Sequence, residues 1–139
     1  VTPRLLKSTI QTNLDISPLN LNPKHLRVVL DGMNKVTNGS RGTARGVSRP
    51  SSSFRFGGKT GSVQVKRISL DDRRVGNVKN KDKPWAERDH AMFVGYAPLN
   101  SPRYVVSVVV EHGGGGSTMA APIARDILKK TIELDPVAL

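Results

Sequence analysis

The chain has 139 residues, which is one domain's worth or less and enough to bury a modest core. Hydrophobic content of 37% with 13 Gly and 9 Pro suits a globular chain with extended loops and argues against disorder; the absence of Cys excludes disulfides and thiolate metal sites. A formal net charge of +11 favours anionic partners, whether nucleic acid, an acidic membrane surface or a carboxylate substrate, and does not choose among them.

The start, Val1-Thr2-Pro3-Arg4, shows neither an initiator Met nor a signal-peptide apolar region. No apolar run approaches the roughly 18 to 20 residues of a membrane span. The expectation is a piece of a longer protein, with any anchor or targeting signal upstream. Residues 1–21 read as a connecting segment that packs on something, ending in the turn-prone Ser17-Pro18-Leu19-Asn20. A helix is predicted over 23–38. Asn22 is its N-cap, Pro23 its first residue, and Leu26, Val29, Leu30, Met33 and Val36 its apolar stripe; Asn38-Gly39 is the stop.

Gly39 to Ser53, with Arg41, Arg45 and Arg49, has loop chemistry. A first strand is predicted at about 57–67, where Ser62-Val63-Gln64-Val65-Lys66 alternates polar and apolar. Residues 69–89 are charge-dense and too long for an ordinary hairpin loop, a length that is usually functional or mobile; Trp85 is read there as a packing anchor. Further strands are predicted at 91–97 and 104–111. Tyr104 to Val110 is apolar on both faces, so we expect a central strand covered on both sides. Gly113 to Gly116 reads as a flexible link, and Ser117 or Thr118 as the cap of a last helix over 118–133 that tolerates Pro122 near its start. Helix, strands joined by non-helical links, then helix predicts an α+β chain with an antiparallel sheet and flanking helices.

The sharpest local feature is Gly57-Gly58-Lys59-Thr60-Gly61-Ser62. The glycine pair permits close approach of a backbone or a ligand. On a strand, Lys59 and Gly61 share one face and Thr60 and Ser62 the other, so a groove beside it presents an ammonium, hydroxyls and backbone N–H groups to an anion. Gly58-Lys59-Thr60 also looks like the end of a P-loop, but the leading Gly would fall at Ser53, no apolar strand precedes it, and a nucleotide site is rejected. The bland reading is an edge strand blunted by a lysine. His25, His90 and His112 lack helical i, i+4 spacing, so no metal is assigned. A basic non-catalytic module for nucleic acid or anionic surfaces is the alternative, but aromatics at 4% leave few stacking platforms, and no nucleic acid is expected as partner.

The context of Lys59-Thr60-Gly61 is more specific than the motif. Lys-Thr-Gly is the third signature of the penicillin-recognising serine enzymes. Arg88 to Pro98, Pro102-Arg103-Tyr104 and Glu111-His112-Gly113-Gly114 follow it, and Leu30-Asp31-Gly32-Met33, Asn38-Gly39 and Gly42-Thr43-Ala44 precede it. In this order, over roughly residues 20–130, the chain resembles the C-terminal part of the penicillin-binding protein 2 family, the elongation-type class B peptidoglycan D,D-transpeptidases. Division-type relatives share Lys-Thr-Gly and the Phe93-Val94-Gly95 strand pattern; Asp89-His90 and Glu111 to Gly114 are more similar to the elongation type.

The resemblance implies an incomplete portion of the penicillin-binding transpeptidase (serine beta-lactamase-like) fold. It also implies a cofactor-free serine acyl-enzyme mechanism that cross-links peptidoglycan stem peptides and is blocked by beta-lactams. Lys59 then has a catalytic role, biasing the potential for the substrate carboxylate and assisting proton movement. Thr60 and Ser62 bind that carboxylate, the Ser62 N–H is an oxyanion donor, and Gly61 leaves room for substrate along the strand. No Ser is followed three residues later by Lys or two later by Asn, so the isolated chain is expected to be inactive. The implied partners are the missing N-terminal part of the domain and membrane proteins of the elongation machinery. The implied location of the parent is the periplasmic face of a bacterial inner membrane. An unpaired edge on Tyr104–Val110 predicts self-association, disorder or a separately supplied upstream piece.

Overall fold

The computed structural model describes residues 18–48, 54–76 and 78–135. Most of the connecting segment expected at 1–21 and the end of the Arg-rich loop, 49–53, lie outside the described residues. The described elements are α1 (Pro23–Asn38), β1 (Gly57–Val63), α2 (Leu70–Val75), β2 (His90–Ala97), β3 (Tyr104–Val110) and α3 (Ala121–Leu134). Short 3-10 turns at Asn80–Asp82 and Trp85–Glu87 divide the loop between α2 and β2.

Helix α1 starts where local chemistry favours it. The Asn22 side chain accepts from the Lys24 N–H at 2.9 Å and Pro23 occupies the first turn, where no intrahelical partner for its nitrogen is needed. It stops at Gly39, whose N–H returns to the Lys35 carbonyl at 3.0 Å. Its apolar stripe differs from the expectation. Leu26 and Val29 are exposed, and the one buried residue of the helix is Thr37. The helix packs against β1 through its C-terminal half, where Leu30, Met33 and Val36 are half-buried, and little lies over its first turns among the described residues.

The three strands form an antiparallel sheet in the order β1-β2-β3. Facing pairs such as Thr60 with Phe93 and Phe93 with Val108 put alternate residues on one face, which α3 covers. There Phe56, Ala91, Phe93, Ala97, Ala120, Ala124 and Leu128 form the core, with Ala44 and Val47 from the loop after α1 closing its side. Burial of a side chain such as Phe93 or Leu128 contributes about 1.5–3 kcal/mol. Small alanines on α3 and β2 let helix and sheet approach closely enough for these larger groups to interlock.

Four expectations are corrected. Strand β1 ends at Val63 rather than near 67, because β2 begins at His90, opposite Val63, and the ladder has no partner beyond it. Among the described residues strand β3 is not covered on both sides: Tyr104, Val106, Val108 and Val110 are half-buried against α3, while Val105 and Val109 are 77% and 54% exposed. Neither Ser117 nor Thr118 caps α3. A π-helical turn, Gly116–Ala120, leads into it, and the Thr118 hydroxyl donates to the Gly115 carbonyl at 3.1 Å instead. The Gly113–Gly116 stretch is packed and not a loose link, since Gly114 and Gly116 are buried and the Gly114 N–H donates to the Asp89 carbonyl at 2.7 Å.

Candidate functional site

Among the described residues strand β1 is an edge of the sheet, and its first two residues show why glycine is required. A Cβ on Gly57 would lie 2.6 Å from the Tyr96 ring, and one on Gly58 would lie 2.1 Å from Phe93 Cζ. The close approach made here is to the two aromatic rings of β2. Both glycines are buried, so they seat the start of the strand on the core.

Lys59 and Gly61 share a face with Val94 and Met92; Thr60 and Ser62 share the other with Phe93 and Ala91. The Lys59 side chain is exposed, and its ammonium donates to the Thr60 carbonyl at 2.7 Å. Thr60 is half-buried, with its hydroxyl 3.0 Å from that of Thr43. Ser62 is exposed. A Cβ on Gly61 itself would lie 3.3 Å from Met92 Cβ; the tighter constraint falls on Gly116, which packs against Gly61. The π-helical turn crosses behind it so closely that a Cβ on Gly116 would lie 2.4 Å from the Gly61 carbonyl oxygen and 2.3 Å from that of Met92.

The end of α1 and the loop that follows it brace this strand. The buried Thr37 hydroxyl donates to the Phe56 carbonyl at 2.6 Å, and the Asn38 amide donates to the same oxygen at 3.0 Å. Thr43 sits on a tight turn whose neighbour, Ala44, donates its N–H to the Val36 carbonyl at 2.9 Å. The sequence placed Thr43 in a recognisable segment without a role, and Thr37 carried no signal; a hydroxyl in a last helical turn is ordinarily solvated.

At the other end of the strands lies a cluster that the separate histidines did not foreshadow. The His90 and His112 rings meet edge to face with centroids 4.7 Å apart, and the His112 N–H donates to His90 Nδ1 at 2.9 Å. His112 holds a positive φ of 56°, and its ring lies 4.1 Å from the Trp85 ring, which anchors the charge-dense loop there. The loop is further tied by Lys66 to Glu87 at 2.9 Å and Lys83 to Asp89 at 3.2 Å.

An exposed ammonium, two hydroxyls and a free strand edge suit the holding of an anionic, extended ligand. They supply no nucleophile paired with a base.

A family model described as the penicillin binding protein transpeptidase domain matches residues 1–129. The peptidoglycan D,D-transpeptidase MrdA of Haemophilus influenzae is 39% identical over 97 residues, which are 70% of this chain and 14% of that protein. A solved structure of Pseudomonas aeruginosa PBP2 superposes with a TM-score of 0.62 at 36% identity, over 83% of this chain and 21% of the other. PBP2 of Helicobacter pylori, solved in complex with MreC, superposes with a TM-score of 0.63 at 31% identity, over 82% and 19%. The chain thus spans about one-seventh of the curated relative and about one-fifth of the solved chains. The antiparallel sheet with its helices is part of the beta-lactamase-like fold of these enzymes, and the chain belongs to the penicillin-binding protein transpeptidase family.

Proposed function

We propose that this chain supplies one wall of the active site of a peptidoglycan D,D-transpeptidase, and that Lys59, Thr60, Gly61 and Ser62 are that wall. The observation that carries the reading is the placement of these four residues on β1, an edge strand among the described residues, with Lys59 and Ser62 exposed and Thr60 half-buried. The substrate is a stem peptide ending in D-Ala. A serine outside this chain attacks the penultimate carbonyl, D-Ala leaves, and an amine of a neighbouring peptide displaces the serine to form the cross-link. Thr60 and Ser62 hold the terminal carboxylate, Lys59 attracts it and assists proton movement, and the Ser62 N–H stabilises the oxyanion. One such donor contributes roughly 3–4 kcal/mol in hydrolases. A beta-lactam enters as a donor mimic and stops at the acyl-enzyme.

The 139 residues contain no Ser-x-x-Lys, so catalysis requires the rest of the domain. The parent then works at the periplasmic face of a bacterial inner membrane; among the described residues no helix is long and apolar enough to cross one. Elongation-machinery membrane proteins are its proposed partners, a reading supported by the complex of the Helicobacter pylori relative with MreC.

Labelling with a fluorescent penicillin tests this on a denaturing gel. The isolated chain should take up no label. The full-length protein should be labelled, and Lys59→Ala should slow its labelling at least tenfold. A covalent band on the isolated chain, or near-normal labelling of Lys59→Ala, would overturn the assignment.

A further inference from the structure

We infer that Thr43 is a positioning residue for carboxylate binding: it donates its hydroxyl proton to Thr60, and thereby leaves the Thr60 proton for the ligand. The inference rests on the reading of Thr60 as a carboxylate-binding hydroxyl and goes beyond it, since nothing in that reading assigns Thr43 a part.

A hydroxyl carries one proton and two lone pairs. The two oxygens are 3.0 Å apart, which is hydrogen-bond distance, and either could be the donor in the free protein. A carboxylate only accepts. When Thr60 gives its single proton to that anion, its contact with Thr43 survives only if Thr43 donates. The pair then forms a short chain, Thr43 to Thr60 to carboxylate, in which each bond polarises the next. Without Thr43 the Thr60 rotor is free to point elsewhere, and binding must restrict it.

The position of Thr43 suits this role because its backbone is fixed on both sides. Gly42 donates to the Gly39 carbonyl at 3.0 Å, and a Cβ on Gly42 would lie 2.3 Å from the carbonyl oxygens of Lys35 and Val36. Ala44 is buried and bonded to Val36, and the Arg45 and Val47 N–H groups return to Gly42 and Ala44 at 3.2 and 3.0 Å. The same helix end grips the start of β1 through Thr37 and Asn38 at the Phe56 carbonyl. Thr43 and Thr60 are therefore mounted on one braced unit, although 17 residues separate them.

The test uses the full-length protein and measures the second-order acylation rate with a penicillin and with its decarboxylated analogue. Thr43→Val should reduce the rate with the penicillin about threefold to tenfold, the loss expected for one neutral hydrogen bond. The reduction should lie in pre-covalent binding rather than in the limiting acylation rate. The rate with the decarboxylated analogue should not change, and Thr43→Ser should restore the penicillin rate. The ratio of the two rates does not depend on the fraction of protein folded, so partial misfolding does not imitate the effect. An unchanged ratio in Thr43→Val, with Thr60→Val lowering it, would refute the role of Thr43 and leave the wall intact. An unchanged ratio in both variants would refute the reading of Thr60 as well.

Discussion

Gly116 lies against Gly61 with no room for a methyl group on the former: a Cβ there would be 2.4 Å from the Gly61 carbonyl oxygen and 2.9 Å from its nitrogen. The backbone of the turn into α3 is thus the backing of the Lys-Thr-Gly strand at its third residue. The neighbouring atoms are main-chain atoms of β1 and β2, so no side-chain rotation relieves the clash. Gly116→Ala should cost about 1–3 kcal/mol, as overpacking of a well-packed interior does. It should also push β1 outward and slow penicillin acylation in the full-length protein. Thermal melting and labelling rate check this together; a normal melting temperature would mean that the turn yields easily.

Thr37 is the fully buried polar side chain of α1, and its hydroxyl satisfies the Phe56 carbonyl just before β1. Thr37→Val keeps the shape and removes the donor. The cost of weakening a buried acceptor's hydrogen bonding is about 1–3 kcal/mol. Since the Asn38 amide also donates to this carbonyl at 3.0 Å, a value near the lower end is expected, with Thr37→Ser nearly neutral. Urea unfolding of the two variants decides it.

Tyr104 donates its phenol proton to the Asp135 carboxylate, which also pairs with Arg103 at 2.8 Å. That hydrogen bond, then burial and the carboxylate's charge, raise the Tyr104 pKa above its ordinary value of 10.0, against a smaller lowering by Arg103. A phenol with a raised folded-state pKa contributes stability that is present below pH 10.0 and is lost as pH rises through the raised value. The stability difference between the natural protein and Tyr104→Phe should therefore be constant from neutral pH to about pH 9 and shrink above pH 10. A pH-independent difference would show that the hydrogen bond from Tyr104 to Asp135 contributes nothing to stability.

Val105 and Val109 stand exposed on one face of β3, an outer strand among the described residues. An apolar edge strand invites pairing with another chain. The isolated chain should therefore self-associate, and the double substitution Val105→Lys with Val109→Lys should reduce its mass by light scattering. A stable monomer of the unsubstituted chain would overturn this prediction.

How much of this was legible before the fold was known depended on how far apart the interacting residues lie. The helix start at Asn22-Pro23 and the turn at Gly39 are encoded within a few residues, and α1 begins and ends there. The α+β class followed from the element order, and family membership from Lys59-Thr60-Gly61 with the segments around it. The charge-dense loop advertised its length, although its clasp of His90, His112 and Trp85 joins residues separated by 22 positions or more.

What tertiary structure alone decided was contact between segments that sequence pattern treats as independent. The stop of β1 at Val63 depends on where β2 begins. The need for glycine at 58 and 116 comes from Phe93 and from the Gly61 and Met92 carbonyls, and a glycine's neighbours are invisible in a linear chain. The pairing of Thr43 with Thr60 is of the same kind. Periodicity reports which residues share a face, but only packing determines whether that face is covered, as the exposed Leu26 and Val105 demonstrate. The order of the main helices and strands was legible in the sequence, whereas α2, the π-helical turn and the end of β1 were not. The packing determined how rigidly the chemistry of β1 is held, because hydrogen-bond geometry and excluded volume arise only when distant segments meet.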